Sequence, residues 1–381
     1  MDTYKSFLYF ITIVLFTSCA TYKAQYSGDK TLKTTPDSSK IEHTFYLIGD
    51  AGNSTINENS PALNFLEKNI KSASKDATLL FLGDNVYETG IPNKKSKKYP
   101  LAKRRIEAQT DVAKKFKGNS IFIPGNHDWY NGLDGLKREE KLVEKALGKN
   151  SFFPQNGCPL KKIDISKNIV LIVVDTHWYL TDWNKHPTIN DNCEIKTRVK
   201  FLDEFEGLIK KSRGKTTIIA LHHPMFTNGS HGGQYSLKSH LNPLPILGSV
   251  KNLIRKTSGL TNTDIQNKRY NQLKKHLVTI SQENNKTIFV SGHDHNLQYL
   301  VKDNLPQIVS GSGSKTTPTK LTEGAKFTYG EQGFAKLKIY KDGSSNVSFY
   351  AVKDNKIVYE SEVLPANKKK LFTTFPQRSI T

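Results

Sequence analysis

Cysteine, long apolar runs and acidic side chains are scarce in this chain. It has only three cysteines in 381 residues, which restricts internal bridging to a single pair. Cys19 sits at the end of an N-terminal leader, and the remaining two, Cys158 and Cys193, can pair in an oxidising compartment, although their spacing does not require it. The apolar run from Phe7 to Thr17 holds eleven residues, too few for a bilayer-spanning helix, which takes about 20. Acidic residues number 35 against 56 Lys and Arg, for a net charge of +21. Such a balance attracts anions in general. The lysines are scattered, apart from Lys94-Lys95-Ser96-Lys97-Lys98, and there is no nucleic-acid module and no ladder of basic and aromatic residues. The charge therefore reads as a solvated surface, with no specific nucleic-acid partner expected.

The run Phe7 to Thr17, preceded by Lys5, occupies the place of a secretory apolar region. It ends in Phe16-Thr17-Ser18-Cys19, small residues before a lone cysteine, which resembles the lipobox of bacterial lipoproteins. Residues 1–18 are therefore expected to be a signal peptide and Cys19 the lipidation site. Residues 19–42, rich in Thr, Lys and Ser, read as a flexible tether. Export and anchoring at a bacterial membrane, periplasmic or at the cell surface, follow.

Beyond residue 42 the chain alternates short apolar runs with helical periods. Phe45–Ile48, Thr78–Leu82, Ser120–Ile123, Ile169–Val174, Thr216–Leu221 and Thr287–Val290 read as strands buried on both faces. Ser60-Pro61 marks a helix start before Leu63, Phe65, Leu66 and Ile70. Ile195, Val199, Leu202, Phe205 and Ile209 follow helical spacing and predict one core-facing stripe; Tyr270, Leu273, Leu277 and Ile280 predict another. Phe334–Tyr340, Val347–Val352 and Lys356–Tyr359 read as closing antiparallel strands with turns between them.

Polar residues gather where the apolar runs end. Gly49-Asp50 follows the first run, Gly83-Asp84-Asn85-Val86-Tyr87 the second, Gly125-Asn126-His127-Asp128 the third, His222-His223-Pro224 the fifth, and Gly292-His293-Asp294-His295 the sixth. Loops at the carboxyl ends of strands are where α/β proteins assemble sites. Two aspartates, a tyrosine, an asparagine and three histidines supply oxygen and nitrogen donors suited to iron, zinc or manganese rather than calcium. Seven donors exceed the needs of one tetrahedral ion, so two ions are implied.

This loop order resembles the calcineurin-like metallophosphoesterases, over residues 43–365. Asp50-Ala51-Gly52 lacks the histidine that most members place two residues after the first aspartate. Tyr87, three residues after Asp84, is instead the mark of the purple acid phosphatases, and GDNVYETG, GNHD, HHP and GHDHNLQYL are most similar to the small, tartrate-resistant type. The resemblance implies a four-layer α/β/β/α sandwich. It implies that Asp50, Tyr87 and His295 hold Fe(III), that Asn126, His222 and His293 hold a divalent ion (Fe, Zn or Mn), and that Asp84 bridges the two. His127 and His231 are implied to bind the phosphoryl oxygens, and His127, beside Asp128, to protonate the leaving group. The expected activity is release of inorganic phosphate from small phosphate monoesters through a bridging hydroxide, by a monomer held to the membrane by its lipid. A phosphodiesterase or nucleotidase, and a non-catalytic lipoprotein that binds phosphorylated ligands, are the alternatives. An insertion at about 232–268, containing HLNPLPILGSVKNLIRK, reads as a lid, a lipid-resting patch or a segment folded back on the body; residues 366–381 read as a tail.

Overall fold

A computed structural model describes residues 19–32, 37, 40–322 and 324–367. The expected signal peptide and all but two residues of the tail lie outside the described residues. Two sheets form the centre. In the six-stranded sheet, β2 (Ile41–Ile48), β3 (Ala77–Phe81) and β4 (Asn119–Phe122) are parallel neighbours. The antiparallel strands β12 (Gly333–Tyr340), β13 (Ser345–Ala351) and β14 (Lys356–Leu364) complete it on the β2 side. The eight-stranded sheet runs β1-β11-β9-β10-β8-β7-β6-β5. Its parallel centre is β6 (Ile169–Val174), β7 (Thr216–Leu221), β8 (Thr287–Ser291) and β10 (Leu305–Ser310). The strands β1 (Gln25–Tyr26), β5 (Leu160–Asp164), β9 (Leu297–Lys302) and β11 (Ala325–Tyr329) are antiparallel additions.

Strand alternation explains the layers. Phe45 and Leu47 of β2 and Ile218 and Ala220 of β7 point into one cluster between the two sheets. Tyr46 and Ile48, with Ile219 and Leu221, point outward under the helices. Such strands carry apolar residues on both faces, which is why they read as unbroken runs. The helices α1 (Pro61–Ile70), α2 (Tyr99–Lys114) and α3 (Gly132–Leu147) cover one outer face; α4 (Thr176–Leu180), α5 (Arg198–Lys211) and α8 (Lys268–Ser281) cover the other. Ser60 caps α1 as expected, accepting from the Leu63 amide, and Thr197 caps α5.

The stripe on α5 is rotated: Phe201, Phe205 and Ile209 face the core, Val199 is 70% exposed, and Ile195 precedes the helix. Leu202 lies beside the buried stripe, so the sequence spacing caught one edge of it. Part of the expected tether lies against the domain, because the Ala20 amide donates to the Tyr235 carbonyl and β1 pairs with β11. The insertion forms α6 (Leu237–Leu241) and α7 (Pro245–Ser258) and returns to the body through Thr263 and Asp264. Cys158 and Cys193 form a disulfide, with Cα atoms 5.4 Å apart.

Candidate metal centre

Each of the five polar loops leaves the carboxyl end of a parallel strand: β2, β3 and β4 in one sheet, β7 and β8 in the other. The centre therefore lies where the two sheets' strand ends meet. Aiming the donors inward demands unusual backbone. Asp50, Asp84 and His293 all have left-handed φ, at 57°, 54° and 71°, a conformation that non-glycine residues rarely hold without a surrounding structure that enforces it. Close approach also requires glycine, since a Cβ on Gly125 would sit 2.2 Å from Asp84 Oδ1. Gly52 explains the missing first-loop histidine in steric terms: a Cβ there would come within 2.2 Å of the Asn85 carbonyl carbon.

The seven expected donors converge in two groups. Tyr87 Oη lies 2.8 Å from Asp50 Oδ1 and 2.9 Å from His295 Nε2. His222 Nε2 lies 3.2 Å from Asn126 Oδ1 and 3.2 Å from His293 Nδ1. Asp84 stands between the groups, with Oδ1 3.4 Å from His222 Nε2, and Asp50, Asp84 and His222 present donor atoms within 4.8 Å of one another.

Tautomers decide what these contacts mean. His222 Nδ1 donates to the Leu82 carbonyl at 2.8 Å, and His293 Nε2 donates to the Thr263 carbonyl at 2.9 Å. The His293 ring, its pKa lowered by burial, is then left with a lone pair on Nδ1, and His222 Nε2 faces that lone pair and the Asn126 oxygen. Acceptors gathered to 3.2 Å around one imidazole nitrogen in a buried pocket call for positive charge among them, a proton on His222 or a metal ion in its place. The electrostatics agree. Burial works against both members of the Asp84–His222 pair, yet their mutual attraction wins, holding the Asp84 carboxyl well below its ordinary range and raising the His222 imidazole. Burial, together with Asp50 and Asp84, holds the Tyr87 phenol well above its usual range. A pocket that favours positive charge and offers both hard oxygens and imidazole nitrogens fits a pair of borderline or hard metal ions.

His127 and His231 flank the donors. The His127 amide donates to Asp84 Oδ1 at 2.9 Å, its Nδ1 contacts the Glu88 carbonyl, and its ring lies 4.4 Å from that of Tyr87. His231 stacks on His293 with ring centroids 3.9 Å apart, and its Nδ1 lies 2.7 Å from Asp264 Oδ1. Asp294, between His293 and His295, turns away from the centre and accepts from Thr227, Ser230 and the His231 amide. The expectation for Asp128 needs correction. Its buried carboxylate accepts from the Gly125, Asn85 and Val86 amides, and burial and Asp84 push it up to about 7. It staples the second and third loops and does not touch the His127 ring nitrogens.

Sequence reasoning missed Asp264, Arg255, Thr263 and Lys315. Arg255 and Asp264 form a two-point ion pair at 2.6 and 2.7 Å beneath His231, and the Lys315 ammonium lies 3.5 Å over the Tyr87 ring. None sits in a recognisable motif. Arg255 and Asp264 are nine residues apart, and only a count of charges in the insertion, where Asp264 is the lone acid, would have drawn attention to it.

Loop donors at the rim of a two-sheet α/β/β/α sandwich, paired around one carboxylate, define a metal-dependent phosphoester hydrolase. Residues 43–297 match the family of calcineurin-like phosphoesterases, and the chain belongs to that family. It is 24% identical over 358 residues to purple acid phosphatase 3 of Arabidopsis thaliana, covering 89% of this chain and 81% of the relative. It is 22% identical to human tartrate-resistant acid phosphatase type 5, covering 68% and 71% of the two chains. Among solved structures, GAP50, the anchor in the inner membrane complex of Plasmodium, superposes with a TM-score of 0.56 at 16% identity over 87% of this chain and 91% of that one; this likeness is one of fold.

Proposed function

We propose that this protein is an exported phosphomonoesterase of the purple acid type, tethered to a membrane through Cys19, that releases inorganic phosphate from small organic phosphates. The observation that carries the reading is the convergence of His222 Nε2, His293 Nδ1 and Asn126 Oδ1 opposite the cluster Asp50–Tyr87–His295. Asp50, Tyr87 and His295 would hold a ferric ion, Asn126, His222 and His293 a divalent one, and Asp84 would serve both. When bound, such a pair supplies an activated water at ordinary pH and positive charge for the attacking and departing oxygens.

The chain's own groups do the rest. His127 is pinned through Nδ1 to the Glu88 carbonyl, so its imidazolium form would turn the Nε2 proton to a phosphoryl oxygen and give that proton up to the departing alkoxide, returning to the neutral ring. Asp264 holds His231 Nδ1, so its Nε2 is the atom offered to a second phosphoryl oxygen. Lys315, over Tyr87, adds positive charge at the mouth.

The test is the visible absorption spectrum of the purified protein beside its Tyr87→Phe variant, with iron measured in both. The expected result is a purple band in the parent that disappears in the variant while iron stays. A colourless, iron-free parent overturns the ferric assignment. Hydrolysis of p-nitrophenyl phosphate should exceed that of bis(p-nitrophenyl) phosphate at matched concentration; the reverse order favours a phosphodiesterase on the same residues.

A further inference from the structure

The insertion carries a helix turned inside out. On α7, Leu247, Val250, Leu253 and Ile254 lie along one side and are each between 46% and 59% exposed, while Asn252 on the opposite side is 4% exposed. The inward side is polar: Asn252 accepts from the Ser239 hydroxyl, Arg255 reaches Asp264, and Gly248 packs against the His240 and Asn242 carbonyls. Surface helices of globular proteins bury the apolar stripe and expose the polar one. Here Leu244 before α7 and Leu260 after it extend the exposed stripe, at 59% and 80%. A groove of about 460 Å³ runs between Leu247, Val250, Ile254 and Leu260.

Two further observations say what covers this face. The first is where the chain enters the domain. The Ala20 amide donates to the Tyr235 carbonyl at 2.9 Å, and Ala20 forms a bridge with Ser236, the residue that caps α6. Cys19, the residue through which the proposed tether would hold the domain, is therefore placed at the foot of the α6–α7 unit. The second is charge. Residues 232–268 contain five Lys and Arg and one acid; Lys251 lines the groove with Leu247, Val250 and Ile254, and Lys238 and Lys256 of the same segment are exposed. A wide apolar stripe edged by lysines is the composition of a helix lying in a membrane interface.

We infer that the outer face of α7 docks on an anionic lipid surface, so that the membrane orients the domain as well as holding it by its N-terminus. Arg255 places the consequence within reach of the chemistry. It rises from the inner side of the same helix to Asp264, which holds His231, so a bilayer that steadies α7 also steadies a substrate-binding histidine. The inference rests on the membrane-tethered part of the proposed function and not on the identity of the metals.

The experiment uses the full chain with Leu253→Trp, and separately with Val199→Trp on α5 as a remote exposed control. Each is mixed with phosphatidylcholine–phosphatidylglycerol vesicles whose acyl chains are brominated. The chain has three tryptophans of its own, Trp129, Trp178 and Trp183, so the emission is read as the difference from the parent; the expected result is co-sedimentation of both variants, with the emission added by Leu253→Trp shifted to the blue and quenched about twofold or more, and that added by Val199→Trp unchanged. Co-sedimentation without quenching at position 253 overturns the docking face and leaves the tether standing. Absence of co-sedimentation overturns both. A lipid-free dimer that Leu253→Glu disperses also overturns it, assigning the face to a second copy of the chain. Hydrolysis of p-nitrophenyl phosphate by the Leu253→Trp protein verifies that the domain is folded in every arm.

Discussion

The centre is made of residues that only work in company. Asp50, Asp84 and His293 hold left-handed backbone that costs stability, and the return is that their donors face inward. Around them, carbonyls of Leu82 and Thr263 select the ring nitrogen each histidine presents. Asp264 does the same for His231 while neutralising Arg255. Asp264→Asn would remove that charge but keep the shape. The expected outcome is a loss of about tenfold in kcat/KM toward p-nitrophenyl phosphate, with the rise in KM exceeding the fall in kcat and with metal content unchanged. Steady-state kinetics and elemental analysis on one preparation check this. A parallel loss of bound metal would show that Asp264 supports the Thr263 carbonyl and His293 instead.

At the scale of elements, burial on both faces governs what holds each layer. The α5 helix lays Phe201, Phe205 and Ile209 on the eight-stranded sheet and leaves Val199 in solvent. Phe205→Ala is therefore expected to cost about 3 to 5 kcal/mol through the transfer and cavity terms, whereas Val199→Ala should stay within about 0.5 kcal/mol. Urea unfolding of the two variants beside the parent distinguishes them, and equal costs would restore the stripe read from sequence spacing. The hairpin β9–β10 turns through Asp303 and Asn304, both at positive φ, 53° and 60°. That Asp-Asn pair was a usable turn signal, but Gln298, Pro306 and Gln307 in the flanking strands masked the apolar pattern.

At the scale of the molecule, one buried histidine links folding to acid conditions. His43, on β2, contacts Thr78 Oγ1 at 2.9 Å. Burial lowers its pKa to about 4, against the weaker pull of Asp76 and Glu42. Between the ordinary value of 6.5 and about 4, the unfolded chain binds more protons than the folded one, so stability rises with pH through that window. The contribution is complete above it and is lost as pH falls toward 4, amounting to about 3 kcal/mol at most. His43→Gln is expected to flatten the pH dependence of the melting temperature across that range. An unchanged slope would place the acid sensitivity elsewhere.

The sequence by itself determined six of the seven parallel strands, β10 excepted, and the order of the polar loops that follow five of them, because strands buried on both faces are continuous apolar runs. It also carried the cap of α1 and the pairing candidates Cys158 and Cys193. Only the tertiary structure decided which nitrogen of His222 and His293 faces the centre, since that depends on carbonyls 140 and 30 residues distant in the chain. The structure likewise turned Asp128 into a loop staple, placed Asp264 under His231 and exposed the apolar side of α7. Each of these is a contact between elements whose separation along the chain leaves no local periodicity, and so no trace in the order of residues.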